Sequence, residues 1–352
     1  MSATERKSSG PAARDWAQAL LPYRRASAAR GVLELALTFP PFVVVWTAML
    51  LASRHGQFWL SFALAPLAAG LLIRLFIIQH DCGHGSFFPS KFANDWLGRA
   101  IGVLTVTPYD HWRRSHAIHH ATSGNLDRRG IGDIKTLTVR EYFARNRLDR
   151  LRYRLYRHPL VMLGVGPAYV FLLENRVPVG FMRKGPMPWL STMCTNAGIV
   201  LLAGVLILSV GFTTFVIVHL PIILFAATLG VWVFYVQHQF EATTWDGASD
   251  WRQPEAALHG SSHYDLPLVL RWFSANIGVH HVHHLSSGVP FYRLPEVLRA
   301  YPELGDIGRL TLWRSLVCVR LTLWDEKTRR LVSFREARKG LLAAPNAQSR
   351  KR

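Results

Sequence analysis

The chain has 352 residues, half of them hydrophobic, and a formal net charge of +19. Apolar blocks alternate with basic ones, a composition that indicates an integral membrane protein and argues against a nucleic-acid binder. Cys82, Cys194 and Cys318 are widely separated, which excludes a disulfide framework, a thioredoxin-like pair and covalent haem attachment.

Residues 1–30 carry Arg6, Lys7, Arg14, Arg24, Arg25 and Arg30 in a Ser/Gly/Pro/Ala-rich context. They contain no short apolar core before a small-residue cleavage site, so a removed signal peptide is not expected. They are expected to form a largely disordered cytoplasmic N-terminus. Residues 31–342 then form one membrane domain, followed by a disordered basic tail at 343–352.

Within that domain, residues 31–53 are long enough to span, with Glu34 as an acidic interruption and a kink expected at Pro40-Pro41. Residues 57–78 return after a turn at His55-Gly56. At 1.5 Å per residue each segment covers roughly 30 Å, the thickness of the hydrocarbon core. A second hairpin is predicted from residues 190–211 and 214–236, with a short polar turn at Thr213-Thr214. Residues 159–174 are apolar but short and broken by Gly164, Gly166 and Pro167. They read as interfacial or re-entrant, because a fifth crossing would separate the histidine clusters described next.

Three such clusters lie just outside the apolar stretches: His80-Asp81-Cys82-Gly83-His84, His116-Ala117-Ile118-His119-His120 and His280-His281-Val282-His283-His284. On a helix, positions three and four apart share a face, so each cluster aims two or three imidazoles in one direction. The even number of crossings and the basic loops put all three on one side, the cytoplasmic one. Imidazole suits zinc, copper, iron and nickel, whereas calcium and magnesium require oxygen. Eight histidines exceed what one four-coordinate zinc can use, so two ions are implied. The Glu-x-x-His pairs of carboxylate di-iron bundles are absent from the clusters, which leaves a histidine-rich dinuclear iron site.

The segment from Arg128 to Arg157 is rich in arginine. It reads as a solvated cytoplasmic loop, a subset of which can hold anionic headgroups or an acidic electron donor. Short helices are expected over 308–323.

The chain resembles the membrane fatty-acid desaturases, specifically the acyl-lipid desaturases of bacterial and plastid type. The residues that carry this are His80-Asp81-Cys82-Gly83-His84-Gly85-Ser86-Phe87-Phe88, then Thr107-Pro108-Tyr109 through Trp112 into His116, His119 and His120, then Ala121 to Asp127. Gly260-Ser261-Ser262 and Asn276-Ile277-Gly278, leading into His280, His283 and His284, complete the set. The resemblance implies an all-α integral membrane protein of two transmembrane hairpins, with a cytoplasmic helical cap holding a histidine-rich di-iron site. It implies that His80, His84, His116, His119, His120, His280, His283 and His284 bind two iron ions, and that His238, at the end of the last span, is a ninth ligand. His281 departs from the ligand spacing, and His111, His259 and His263 are left without an assigned role.

The implied reaction introduces a cis double bond into a fatty acyl chain of a membrane lipid, with dioxygen as co-substrate, at a bacterial inner membrane. No Gly-x-Gly-x-x-Gly signature and no fused b-type cytochrome signature is present, so the electrons come from outside, from a ferredoxin, flavodoxin or b-type cytochrome. Related di-iron hydroxylases, epoxidases, acetylenases and carotenoid oxygenases would use the same histidines. A membrane zinc protease would need only His80-Asp81-x-x-His84, and a metal carrier would need ligands along the spans.

Overall fold

The computed structural model describes residues 13–343. Helix α1 covers Ala13–Ala19 and is followed by a 3-10 turn at Leu21–Arg24. Helix α2, Ala28–Ala36, starts at Ser27, whose hydroxyl accepts from the Arg30 N–H, a standard N-cap. It breaks at Leu37-Thr38, and α3, Phe39–Arg54, resumes with Pro40 and Pro41 in its first turn, where a missing N–H costs nothing. The chain turns at His55-Gly56 into α4, Phe58–His84.

Helices α5, Lys91–Leu104, and α6, Tyr109–Thr122, pack beside the end of α4. The segment that follows contains strand β1, Leu137–Thr138, then α7, Val139–Ala144, and α8, Arg147–Tyr156. A π-turn at Val161–Val165 leads into α9, Gly166–Leu172. Residues 159–174 are thus helical, but no helix there is long enough to cross a bilayer.

The second hairpin consists of α10, Pro186–Val210, and α11, Phe212–His238, joined at Gly211. Thr213 and Thr214, expected in the turn, lie in the first turn of α11. Beyond it come α12, Gln253–His259; β2, His263–Asp265; α13, Leu268–Phe273; α14, His280–Leu285; and α15, Leu294–Ala300. The chain ends with β3, Arg309–Thr311; α16, Leu312–Cys318; β4, Leu323–Asp325; β5, Arg330–Val332; and α17, Phe334–Ala343.

The fold is helical, with two small sheets in the cap. Strand β1 pairs parallel to β4, which pairs antiparallel to β5, and β2 runs parallel to β3. These strands of two or three residues are set by their surroundings: a run that short carries no readable alternation.

Among the described residues, four segments are long and apolar enough to cross a membrane: Ala28–Arg54, Phe58–His84, Pro186–Val210 and Phe212–His238. Of their most apolar windows, that of Phe58–His84 is 61% buried and that of Pro186–Val210 only 6%, so α4 is the central span and α10 an outer one. Val200, Leu201, Leu208 and Phe212 point outward from the second hairpin. An apolar belt of this kind is stable against lipid tails and a liability in water.

The N-terminal expectation requires correction. Residues 1–12 lie outside the described residues, but 13–30 are ordered and mostly helical. Trp16 and Leu20 are buried in the main core, with Trp16 edge-on to Tyr301 at 5.3 Å. The Tyr292 hydroxyl accepts from the Ser27 N–H, and Arg293 donates to the Arg25 carbonyl. Two large apolar side chains were enough to dock a segment whose composition reads as disordered. The expected basic tail lies outside the described residues from 344 onward, and Ala343 ends α17.

Candidate metal centre

Each histidine cluster sits on a helix end. His80 and His84 occupy the last turn of α4 one turn apart, and the helix stops at Gly85, whose φ of 70° is open to a residue without a side chain. His116, His119 and His120 lie on one face of α6. His238 is the last residue of α11, and His280, His283 and His284 fill the short helix α14.

The nine side chains converge into two groups. His80, His84, His116, His120 and His283 form one, and His119, His238, His280 and His284 form the other. Within each group the potential ligand nitrogens all lie within 4.8 Å of one another. All nine residues singled out in the sequence are therefore brought together, and no element outside the three clusters and α11 contributes a histidine to either group.

The contacts inside the groups fit a metal ion better than a hydrogen-bonded core. His84 Nε2 lies 3.1 Å from His116 Nε2, His116 Nε2 lies 3.1 Å from His120 Nε2, and His120 Nε2 lies 3.2 Å from His283 Nε2. A ring nitrogen has one in-plane site, either an N–H or a lone pair. His116 and His120 each face two partners, so the row cannot be satisfied by hydrogen bonds alone, whereas lone pairs aimed at a central cation satisfy all of it. In the other group His119 Nε2 and His280 Nε2 lie 3.1 and 3.0 Å from His238 Nε2, and His284 Nε2 is buried with no hydrogen-bond partner.

Electrostatics favours the ligating form. Burial, followed by the neighbouring imidazoles, holds His116, His120, His280, His283 and His284 well below the usual histidine value of 6.5. They are neutral at physiological pH, as metal ligation requires.

Groups outside the histidine set fix the rings. His80 Nδ1 donates to Asp81 Oδ1 at 3.0 Å, and the other Asp81 oxygen accepts from the Phe291 N–H at 2.6 Å. His119 Nδ1 donates to Asp133 Oδ1 at 2.5 Å. Trp112 stacks on His116 with centroids 4.6 Å apart. Asp81 stood in plain view inside the first cluster. Asp133 was missed, and the signal available for it was an acid directly following Gly130-Ile131-Gly132, shortly after the second cluster.

The unassigned histidines are engaged elsewhere. His281 Nε2 donates to the Leu304 carbonyl at 2.8 Å, His263 Nδ1 to Gly305 at 2.5 Å, and His111 Nε2 to Val179 at 3.0 Å. His259 is half exposed beside Glu255. With Asp81 bound to a ring and a backbone N–H, it has no oxygen free to act as the base of a zinc protease. The two groups gather at one end of the spans, which does not provide the path along a span that a metal carrier needs.

Comparison with known proteins agrees with this geometry. A family model described as fatty acid desaturase matches residues 57–315. The chain is 46% identical over 306 residues to a fatty acid desaturase of Bacillus subtilis, covering 86% of each chain. It is 28% identical over 273 residues to the sn-1 acyl-lipid omega-3 desaturase (ferredoxin) of Synechocystis, covering 73% of each, and 27% identical over 220 residues to the sn-1 oleoyl-lipid 12-desaturase of the same organism, covering 62% of each. With the matched region running from the second span through the last histidine cluster, the chain belongs to the fatty acid desaturase family.

Proposed function

We propose that this desaturase introduces a cis double bond into an acyl chain of a membrane glycerolipid, using two iron ions held by the nine histidines, dioxygen and electrons from a ferredoxin. The observation that carries the reading is the convergence of nine imidazoles into two ligand groups on a desaturase fold. Bound iron supplies the oxidising power to remove hydrogen from unactivated methylene carbons, which no side-chain acid or base can do.

The chain's own residues orient and enclose that chemistry. Asp81 and Asp133 fix two rings in the tautomer that leaves Nε2 free, and Trp112 holds the plane of His116. The relatives named as acyl-lipid desaturases support a glycerolipid substrate, and those named with ferredoxin support that class of donor. The arginine-rich segment between α6 and α9 supports a cytoplasmic active site under the positive-inside rule, with both termini on the same side and residues 159–174 at the interface. The inner membrane of a bacterium is the setting proposed.

Expression in a host with saturated membrane lipids tests this, with any new double bond located by mass spectrometry. Unsaturated acyl chains should appear with ferredoxin present and disappear when chelator is added or reductant withheld. Hydroxylated or acetylenic products, or desaturation that continues without iron, would overturn it.

A further inference from the structure

The two histidine groups are not supported alike. In the group of five, the carboxylate is Asp81, which is adjacent in sequence to the ring it holds. In the group of four, it is Asp133, brought from a separate loop to His119. The His119 side chain is 1% exposed and that of Asp133 20%, so this contact closes the group toward the loop.

The loop is shaped to make that approach. Gly132 has a φ of +74°, and a Cβ placed there would lie 3.1 Å from both His119 Cβ and the Ser115 carbonyl. Only glycine fits so close to α6 in that conformation. Arg129 pins the other side of the loop, donating to the Leu126 and Thr136 carbonyls at 2.6 Å each and to Glu141 at 2.7 Å. With His119 Nδ1–H donating a hydrogen bond to Asp133, the lone pair resides on Nε2, the atom that faces His238 at 3.1 Å.

The geometry points to Asp133 as a positioning residue that acts on one metal only, the ion in the group of His119, His238, His280 and His284. This rests on the proposed metal reading. Asp133 is hydrogen-bonded to His119 and to no ligand of the group of five, so its removal takes no direct support from that ion's ligands.

The test measures release of iron from the purified, iron-loaded full-length protein to a colorimetric ferrous chelator. Wild type should yield two irons per chain. In Asp133→Ala, release of one of the two should accelerate about 10- to 100-fold, the usual effect of losing such a support, while the other keeps its wild-type rate. Asp133→Asn, which retains an acceptor oxygen, should show a smaller acceleration of the same single iron, and Gly132→Ala, which leaves the carboxylate in place but forces the loop off α6, should accelerate that iron too. If Asp133→Ala does not fold, the last two variants carry the comparison. Unchanged release of both irons, or equal acceleration of both, overturns the assignment. A wild-type chain that binds no iron overturns the metal reading itself.

Discussion

The ring of His120 lies flat against that of His284, with centroids 4.0 Å apart and planes 11° from parallel. His120 belongs to the group of five and His284 to the group of four, so this stack is a direct contact between the two halves of the centre. Both residues also line a solvent-facing cleft bounded by Gln18, Leu21, Arg24 and Gln253. The N-terminal segment therefore lines the same cleft as one histidine from each group.

Replacing a ligand of the group of five, whether it comes from α6 or from α14, should abolish the reaction without disturbing insertion. His116→Ala and His283→Ala are expected to lower desaturation by more than about 100-fold, beyond what loss of an indirect support costs. Lipid analysis reads the loss, and membrane fractionation confirms insertion. Activity retained by either variant would remove that histidine from the ligand set.

Acid should destabilise the metal-free protein. His116, His120, His280, His283 and His284 resist protonation in the fold, while the unfolded chain takes up protons near 6.5. Below that value the unfolded state binds more protons, so stability is retained above it and falls as pH drops through it. The thermal midpoint in detergent should be lower at about pH 5.5 than at about pH 7.5. Equal midpoints would mean that the imidazoles protonate freely in place.

Glu34 and Arg74 form an ion pair inside the first hairpin, with side chains 4% and 3% exposed. Arg74 also donates to Thr38 and to the Trp272 carbonyl, and lies over the Trp272 ring. Glu34→Ala leaves this cation uncompensated and should cost about 3–5 kcal/mol, whereas replacing both residues by leucine should recover much of the loss. Thermal unfolding of the two variants in detergent gives the comparison, and equal destabilisation would count against a coupled pair.

Arg157 is buried with no carboxylate within ion-pair distance among the described residues. Its guanidinium donates to the Lys135 and Leu321 carbonyls, Thr136, Gln239 and Tyr235, tying the loop after Asp133 to the end of α11 and to the segment before β4. Lysine has the charge but not the planar fork, so Arg157→Lys should destabilise by roughly 2–4 kcal/mol despite its conservative appearance. A thermal midpoint equal to wild type would show that charge alone suffices.

Much of this was legible in the chain. The four spans stood out because lipid demands long uninterrupted apolar helices, and the clusters because helical spacing groups imidazoles visibly. Less local features were not. Asp133 meets His119 through a loop, and nothing in spacing alone predicts how a loop folds back. The composition of residues 1–30, basic and rich in small residues, reads as disorder, yet from Ala13 onward Trp16 and Leu20 meet a core supplied by distant residues such as Tyr301. The five strands are too short to show a period and follow from tertiary pairing.

The histidines come from both hairpins, with five on α4 and α6 and four on α11 and α14. Neither group is complete within one hairpin, since His283 joins the first group and His119 the second. During synthesis the early histidines have no complete group to join until the second hairpin has inserted and the residues after it have left the ribosome. A metal ion held by either group would therefore be a clasp between two separately inserted halves, and metal supply would bear on assembly as well as on chemistry.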